Sequence, residues 1–213
     1  MASRYKTALG EEGEFEPGSR GRVLKNLLGI ISKREMDRVE DEAMLQCSEY
    51  FANNISTKTI FSVELIFEIH RCIFGKIYSW AGELRTVNLT KGDFTWPPPQ
   101  HISNALKEFG QTKLRRLTPV SPEAPENIPR ALAEVHADLL IIHPFRDGNG
   151  RVARMVANLM ALQASHIPPN YGFSGKGSQK NKLRYLNAVR QGYVENYDPL
   201  TRFFRDAFER RDL

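Results

Sequence analysis

From Ser32 onward the hydrophobic residues fall at helical spacing. Met36, Val39, Ala43, Met44, Cys47, Tyr50 and Phe51 recur every three or four positions, the stripe expected of an amphipathic helix. Ser32 followed by Glu35 forms a capping-box start, so the pattern predicts a helix of about 20 residues. A second helix opens at Ser62, with Glu64 in its first turn, and runs through Leu65, Ile66, Ile69, Cys72 and Ile73 towards Gly75. Helical spacing returns at about 100–116, 128–142, 149–165, 178–192 and 199–210, with polar or proline-rich connections such as TPVSPEAPEN and HIPPNYGFSGKGS. Between Trp80 and Pro99 the period changes. RTVNL favours extended structure, KGD supplies a turn, and FTWPPP resumes extension until its prolines end it, which predicts a short β-hairpin over about 86–96. Residues 1–31, with Pro17-Gly18, read as a turn-rich arm with little core of its own. The expectation is a mainly α protein: one helical domain over 32–213, one small hairpin and an N-terminal arm.

Composition narrows the function classes. The 213 residues are 41% hydrophobic, enough for a sizeable core. Lys plus Arg is 30 against 25 acidic residues, a formal charge of +5, spread in mixed-sign neighbourhoods such as KREMDRVEDE. That excess favours phosphate-bearing ligands, while the lack of a long basic run argues against direct nucleic-acid binding. Cys47 and Cys72 lie in helical segments, where buried, reduced, structural thiols and a cytoplasmic setting are expected. The chain start lacks the apolar stretch of a signal peptide, and no run approaches the roughly 20 apolar residues of a membrane span.

The chemistry concentrates in HPFRDGNGRVAR, residues 143–154. The apolar helix ALAEVHADLLII stops at His143-Pro144, because a residue before proline is pushed out of helical geometry. Gly148-Asn149-Gly150 then opens the helix RVARMVANLMALQA. Unbonded N–H groups at a helix start, beside glycines that let a ligand approach the backbone, suit phosphate oxygens. Arg151 and Arg154 lie three apart on one helical face, where their forks can grip more phosphate oxygens, yet cations oppose the macrodipole there unless an anion compensates them. Asp147 is a hard carboxylate suited to Mg²⁺, and His143 has the ordinary pKa of a general base near neutral pH. Taken singly, GNG is only a turn, His143-Pro144 only a helix stop, and Arg146 with Asp147 only a solvated pair. Their co-occurrence within twelve residues makes the site. Phe145 reads as an apolar anchor, and His70, His136 and His166 as structural.

HPFRDGNGRVAR resembles the Fic signature H-x-F-x-D/E-G-N-G-R-x-x-R, with every specified position filled, and IYSWAGELRTVNLTKGDFTWPPP resembles the family's flap. The resemblance implies the Fic fold, a helical bundle with a hairpin flap over the active site, and a protein adenylyltransferase that moves AMP from Mg-ATP to a Ser, Thr or Tyr hydroxyl of another protein. It implies that His143 deprotonates the hydroxyl and that Asp147 holds Mg²⁺. Gly148, Asn149 and Gly150 would cradle the α- and β-phosphates, Arg151 would grip the β-phosphate and Arg154 the γ-phosphate. Thr90, Lys91 and Phe94 fall in the target-binding flap. Tyr185 and Gln191 fall beside adenine, although Tyr185 shares helical spacing with Leu183, Leu186 and Val189 and reads as core. Kinase-like relatives replace the second motif glycine by lysine, so Gly150 favours AMP transfer over phosphate transfer. A non-catalytic nucleotide-binding or toxin–antitoxin module is the reading from another class, and intact His143 argues against it. The family's inhibitory pattern S/T-x-x-x-E-G/N has no clean copy: Thr7 to Glu12 ends in glutamate and SPEAPEN has the wrong spacing. That implies restraint by a small antitoxin-like partner, or by a degenerate contact from Glu11 or Glu12. Relatives without the pattern modify type II topoisomerase subunits, the implied partner class.

Overall fold

The computed structural model describes residues 14–121 and 125–210. Eight α-helical segments and one two-stranded sheet are described: α1 (Lys33–Asn54), α2 (Val63–Phe74), β1 (Thr90–Lys91), β2 (Phe94–Thr95), α3 (Ile102–Phe109), α4 (Arg115–Leu117), α5 (Ile128–Ile142), α6 (Asn149–Gln163), α7 (Ser178–Gln191) and α8 (Asp198–Glu209). The chain is mainly helical, as its periodicity predicts. Ser32 starts α1 by accepting the Met36 N–H on its carbonyl at 2.9 Å. The expected helix over 100–116 is divided, because Gly110–Leu114 forms a π-type turn between α3 and α4. In the hairpin Thr90 pairs with Thr95 and Lys91 with Phe94, around Gly92 at φ +63°, and the Trp96 N–H donates to the Leu89 carbonyl at 3.1 Å, so its strands are shorter than the expected 86–96. Residues 85–89 are nonetheless extended in burial pattern, with Arg85, Val87 and Leu89 inside and Thr86 and Asn88 outside.

The chain forms two compact units, and α6 runs from one into the other. Of the described residues, the first takes 14–53, 63–107 and 142–152. Its buried residues include Met36, Phe51, Ile66, Ile69, Ile73, Phe74, Leu89 and Phe145. Two α1 expectations change here: Tyr50 is 58% exposed, and Glu40 takes a place in the buried stripe at 6%. The described part of the arm is tied down, with an antiparallel bridge from Phe15 to Leu24, a buried Val23, and the Leu27 N–H donating to the Ile77 carbonyl at 2.8 Å. Cys47 and Cys72 are joined in a disulfide, their Cα atoms 6.0 Å apart. This corrects the expectation of reduced thiols and removes its argument for a reducing compartment. Cys72 is also exposed rather than buried.

The second unit takes the described residues 54–62, 108–121, 125–141 and 153–210, with Leu132, Val135, Val156, Met160, Leu200, Phe203 and Phe204 buried. Helix α7 faces inward through Tyr185 and Ala188, while Leu183 is 57% and Leu186 47% exposed. Helical spacing alone assigned those leucines to the core; the packing of α7 against α8 selects the other face. Glu134, nearly buried, accepts bonds from Lys113, Arg116 and Arg130, so its charge is compensated three times over. Among the described residues no helix is long and apolar enough to cross a membrane.

Candidate active site

Helix α5 ends at Ile142, and His143 turns the chain with φ +51°, a left-handed conformation uncommon outside glycine. Arg85 holds that turn. Its side chain, 2% exposed, donates from Nε to the His143 carbonyl at 2.8 Å, from Nη1 to Val87 at 2.9 Å and from Nη2 to Pro97 at 2.6 Å. Its backbone N–H donates to the Pro144 carbonyl at 2.9 Å. One guanidinium therefore binds the His143 turn to both sides of the hairpin. Trp96, just after β2, stacks on the His143 ring with centroids 4.1 Å apart. Phe94 meets Trp96 edge-on at 4.8 Å, so this flap candidate touches the ring that stacks on His143. Thr90 lies in β1 with its hydroxyl 3.2 Å from that of Thr95, and Lys91 is exposed beside it.

The next residues are fastened equally well. The Asn149 amide bonds the Phe145 backbone twice, accepting its N–H at 2.9 Å and donating to its carbonyl at 2.7 Å. Its side chain is thus committed to the loop. Phe145 is fully buried, stacked on His70 at 3.8 Å and edge-on to Phe67 at 5.4 Å, the anchor expected from sequence. Arg146 is buried, which overturns the solvated-pair reading. His70 is structural in a specific way. The Gly82 N–H donates to its Nδ1 at 2.8 Å, so Nε2 carries the proton and donates to the Asp147 carbonyl at 3.1 Å. Burial, outweighing that bond, lowers its pKa to about 4 and keeps it neutral.

Gly148 starts α6: its carbonyl accepts the N–H groups of Arg151 at 2.9 Å and Val152 at 3.0 Å. The earliest N–H groups of a helix lack an acceptor one turn back, and with the Arg151 N–H taken by the Gly148 carbonyl those of Asn149 and Gly150 suit the helix start to an anion. Gly148 has φ +81°, and a Cβ there would meet Phe74 Cε2 at 2.4 Å, so no other residue fits. Asp147 is partly buried, and its Oδ1 accepts the Gly148 N–H at 2.6 Å. Arg151 lies over the Phe74 ring at 4.6 Å and pairs with Glu40 at 2.6 Å. Compensation of an arginine at this helix end therefore comes partly from within the chain.

Arg154, one turn further along α6, belongs to the second unit, with its guanidinium 5.8 Å from the Phe173 ring centroid. Tyr185 is 5% exposed and donates to His136 Nε2 at 2.6 Å, since His136 Nδ1–H is taken by the Ala153 carbonyl at 3.0 Å. Burial pushes His136 down to about 3, so it too is a neutral structural histidine. Tyr185, ringed by Tyr171, Phe173 and Phe203, is core, in line with the core reading of its helical spacing. Gln191 is exposed and lines a shallow cleft with Arg184, Asn187 and Arg202. His166 sits 5.3 Å from Phe208, again structural. Glu11 and Glu12 lie outside the described residues. Sequence reasoning missed Arg85, Trp96, Glu40 and Phe74; the one local signal is the spacing of Arg85 two and four residues before Val87 and Leu89, which puts the three on one face of an extended segment.

The Fic/DOC family model matches residues 60–161. The protein adenylyltransferase VbhT of Bartonella schoenbuchensis is 31% identical over 145 residues, 68% of this chain and 30% of that protein. The protein adenylyltransferase Fic of Nematostella vectensis is 26% identical over 190 residues, 88% of this chain and 42% of that protein. The chain thus spans less than half the length of these curated relatives. Among solved structures, the effector BepC from Bartonella tribocorum, with bound AMPPNP, superposes with a TM-score of 0.70 at 22% identity, covering 92% of this chain and 96% of that one. The N-terminal Fic domain of a Bartonella effector from strain AR 15-3 gives 0.72 at 21% identity, covering 92% and 90%. With the signature filled from His143 to Arg154 and the 60–161 match spanning hairpin and loop, the chain carries a domain of the Fic/DOC family.

Proposed function

We propose that this chain is a protein adenylyltransferase. The observation that carries the reading is the direct succession of a rigidly held histidine and an anion-accepting helix start, His143 fixed through Arg85 and α6 opening at Gly148. In the reaction, His143 takes the proton of a Ser, Thr or Tyr hydroxyl on a target protein. The hydroxyl oxygen bonds to the α-phosphorus of ATP as the bond from that phosphorus to the bridging oxygen breaks, and pyrophosphate leaves. The first-turn N–H groups of α6 hold the α- and β-phosphate oxygens, Arg151 the β-phosphate and Arg154 the γ-phosphate. Fixed donors of this kind lower the barrier because they need no reorganisation as charge develops.

Asp147, a partly buried carboxylate directly before the α6 start, has the donor chemistry that would suit a magnesium ion at bound phosphates. Asp147 would hold it, and the ion would supply charge neutralisation at the phosphates. The hairpin offers a strand edge at Thr90 and Lys91 for an extended target segment. Type II topoisomerase subunits are the first targets to test, and a small antitoxin-like protein the first inhibitor.

With ATP labelled at the α-phosphate, the chain is expected to label target proteins, and with γ-label it is expected to leave them dark. Transfer of γ-label would replace this reading by a kinase. His143→Ala is expected to abolish transfer while retaining nucleotide binding; an undiminished rate would remove the histidine from its role.

A further inference from the structure

We infer that Glu40, on α1 and outside the 60–161 family match, is a positioning residue for Arg151. This rests on the reading of Arg151 as the β-phosphate ligand. The pair joins residues 111 apart in sequence, with Arg151 Nη1 donating to Glu40 Oε2 at 2.6 Å. The two side chains are 14% and 7% exposed, so the bond lies where solvent screening is weak. Glu40 is held from its other oxygen, because the Tyr78 hydroxyl donates to Oε1 at 2.8 Å. Burial first, and the Glu40 charge second, push the Tyr78 pKa far above its ordinary value, so the phenol remains a donor.

The guanidinium is thus fixed in two directions. Its face rests on Phe74, the same ring that closes on Gly148, and one of its nitrogens is bound to an anchored carboxylate. A guanidinium carries five N–H groups in a rigid fork, so a phosphate oxygen can be met while Nη1 stays with Glu40. The alternative, a carboxylate that competes with phosphate and must swing away, conflicts with the second anchor, since Glu40 cannot leave Arg151 without disturbing the Tyr78 bond. A long arginine side chain loses substantial rotamer freedom on gripping a ligand; clamping it beforehand moves that loss into folding, and affinity rises accordingly. Glu40 also offsets the unfavourable placement of a cation at the start of α6.

The test compares ADP, which carries a β-phosphate, with AMP, which does not, by calorimetric titration of Glu40→Gln. The expected result is about tenfold weaker ADP binding with AMP affinity unchanged, together with a raised KM for ATP. In the Arg151→Ala background, Glu40→Gln is expected to add nothing, as coupling through one side chain requires. Equal weakening of ADP and AMP would reduce Glu40 to a general structural role, and tighter ADP binding would make it inhibitory; either overturns the proposal. Should Glu40→Gln fail to fold, Tyr78→Phe decides, with the same selective loss for ADP at about threefold expected and no selective loss counting against it. A wild-type chain that binds neither nucleotide would overturn the adenylyltransferase reading, and this proposal with it.

Discussion

Replacing Arg85 with methionine keeps much of the side chain's length and apolar stem but removes the guanidinium that joins His143, Val87 and Pro97. Three charge-assisted bonds are lost at about 1.5 to 3 kcal/mol each, and their carbonyls are left buried without those donors. Removing a buried cation recovers part of its desolvation cost, so the net destabilisation is about 3 to 5 kcal/mol. For a chain of this size, about 3 kcal/mol lowers the melting temperature by roughly 6 to 12 °C. The His143 turn, in a left-handed conformation, depends on the same bonds, and a base displaced by about 1 Å loses on the order of a hundredfold in rate. Thermal and urea unfolding give the first number and α-label transfer the second. Arg85→Lys, which can retain one bond, is expected to fall between wild type and Arg85→Met in both. A melting temperature within about 2 °C of wild type for Arg85→Met, with transfer intact, would refute the argument that one side chain organises hairpin and base.

Gly148→Ala is expected to cost about 2 to 4 kcal/mol, combining a left-handed backbone with the overlap on Phe74, and to abolish nucleotide binding by calorimetry; Phe74→Leu in the same chain is expected to relieve the overlap but not the backbone strain. Stability should also depend on pH through His70 and His136, whose folded pKa values of about 4 and about 3 lie below the ordinary 6.5. A depressed histidine pKa means the unfolded chain binds more protons, so this stability is complete above pH 6.5 and is lost as pH falls towards the folded values. Between pH 6.5 and 5 the slope approaches about 1.4 kcal/mol per pH unit for each histidine, and His136→Gln is expected to remove about half of it. A flat unfolding profile over that window would contradict the neutral assignments.

Most of what was legible in the sequence is local. Helix α5 occupies Ile128–Ile142 as its periodicity and the His143-Pro144 stop predict, and α6 opens at Gly148-Asn149 as its glycines predict. These features depend on interactions three or four residues apart, and backbone sterics at proline and glycine act within one or two residues. The signature loop is likewise contiguous, so its base, carboxylate, glycines and arginines were all readable as chemistry.

What the tertiary structure decided is long-range. That Arg85 binds a carbonyl 58 positions away, that Glu40 and not Tyr50 joins the buried stripe of α1, and that Cys47 pairs with Cys72 leave no trace in local spacing. On α7, Leu183 and Leu186 carry the apolar signal, yet Tyr185 and Ala188 are inside. Periodicity says that a helix has a face; which face is buried is set by the neighbour it packs against. The residue types for phosphate chemistry were written in the sequence, but the supports that hold them, Arg85, Trp96, Phe74 and Glu40, are assembled only when distant segments meet, because burial converts an ordinary cation or carboxylate into a partner that must be satisfied.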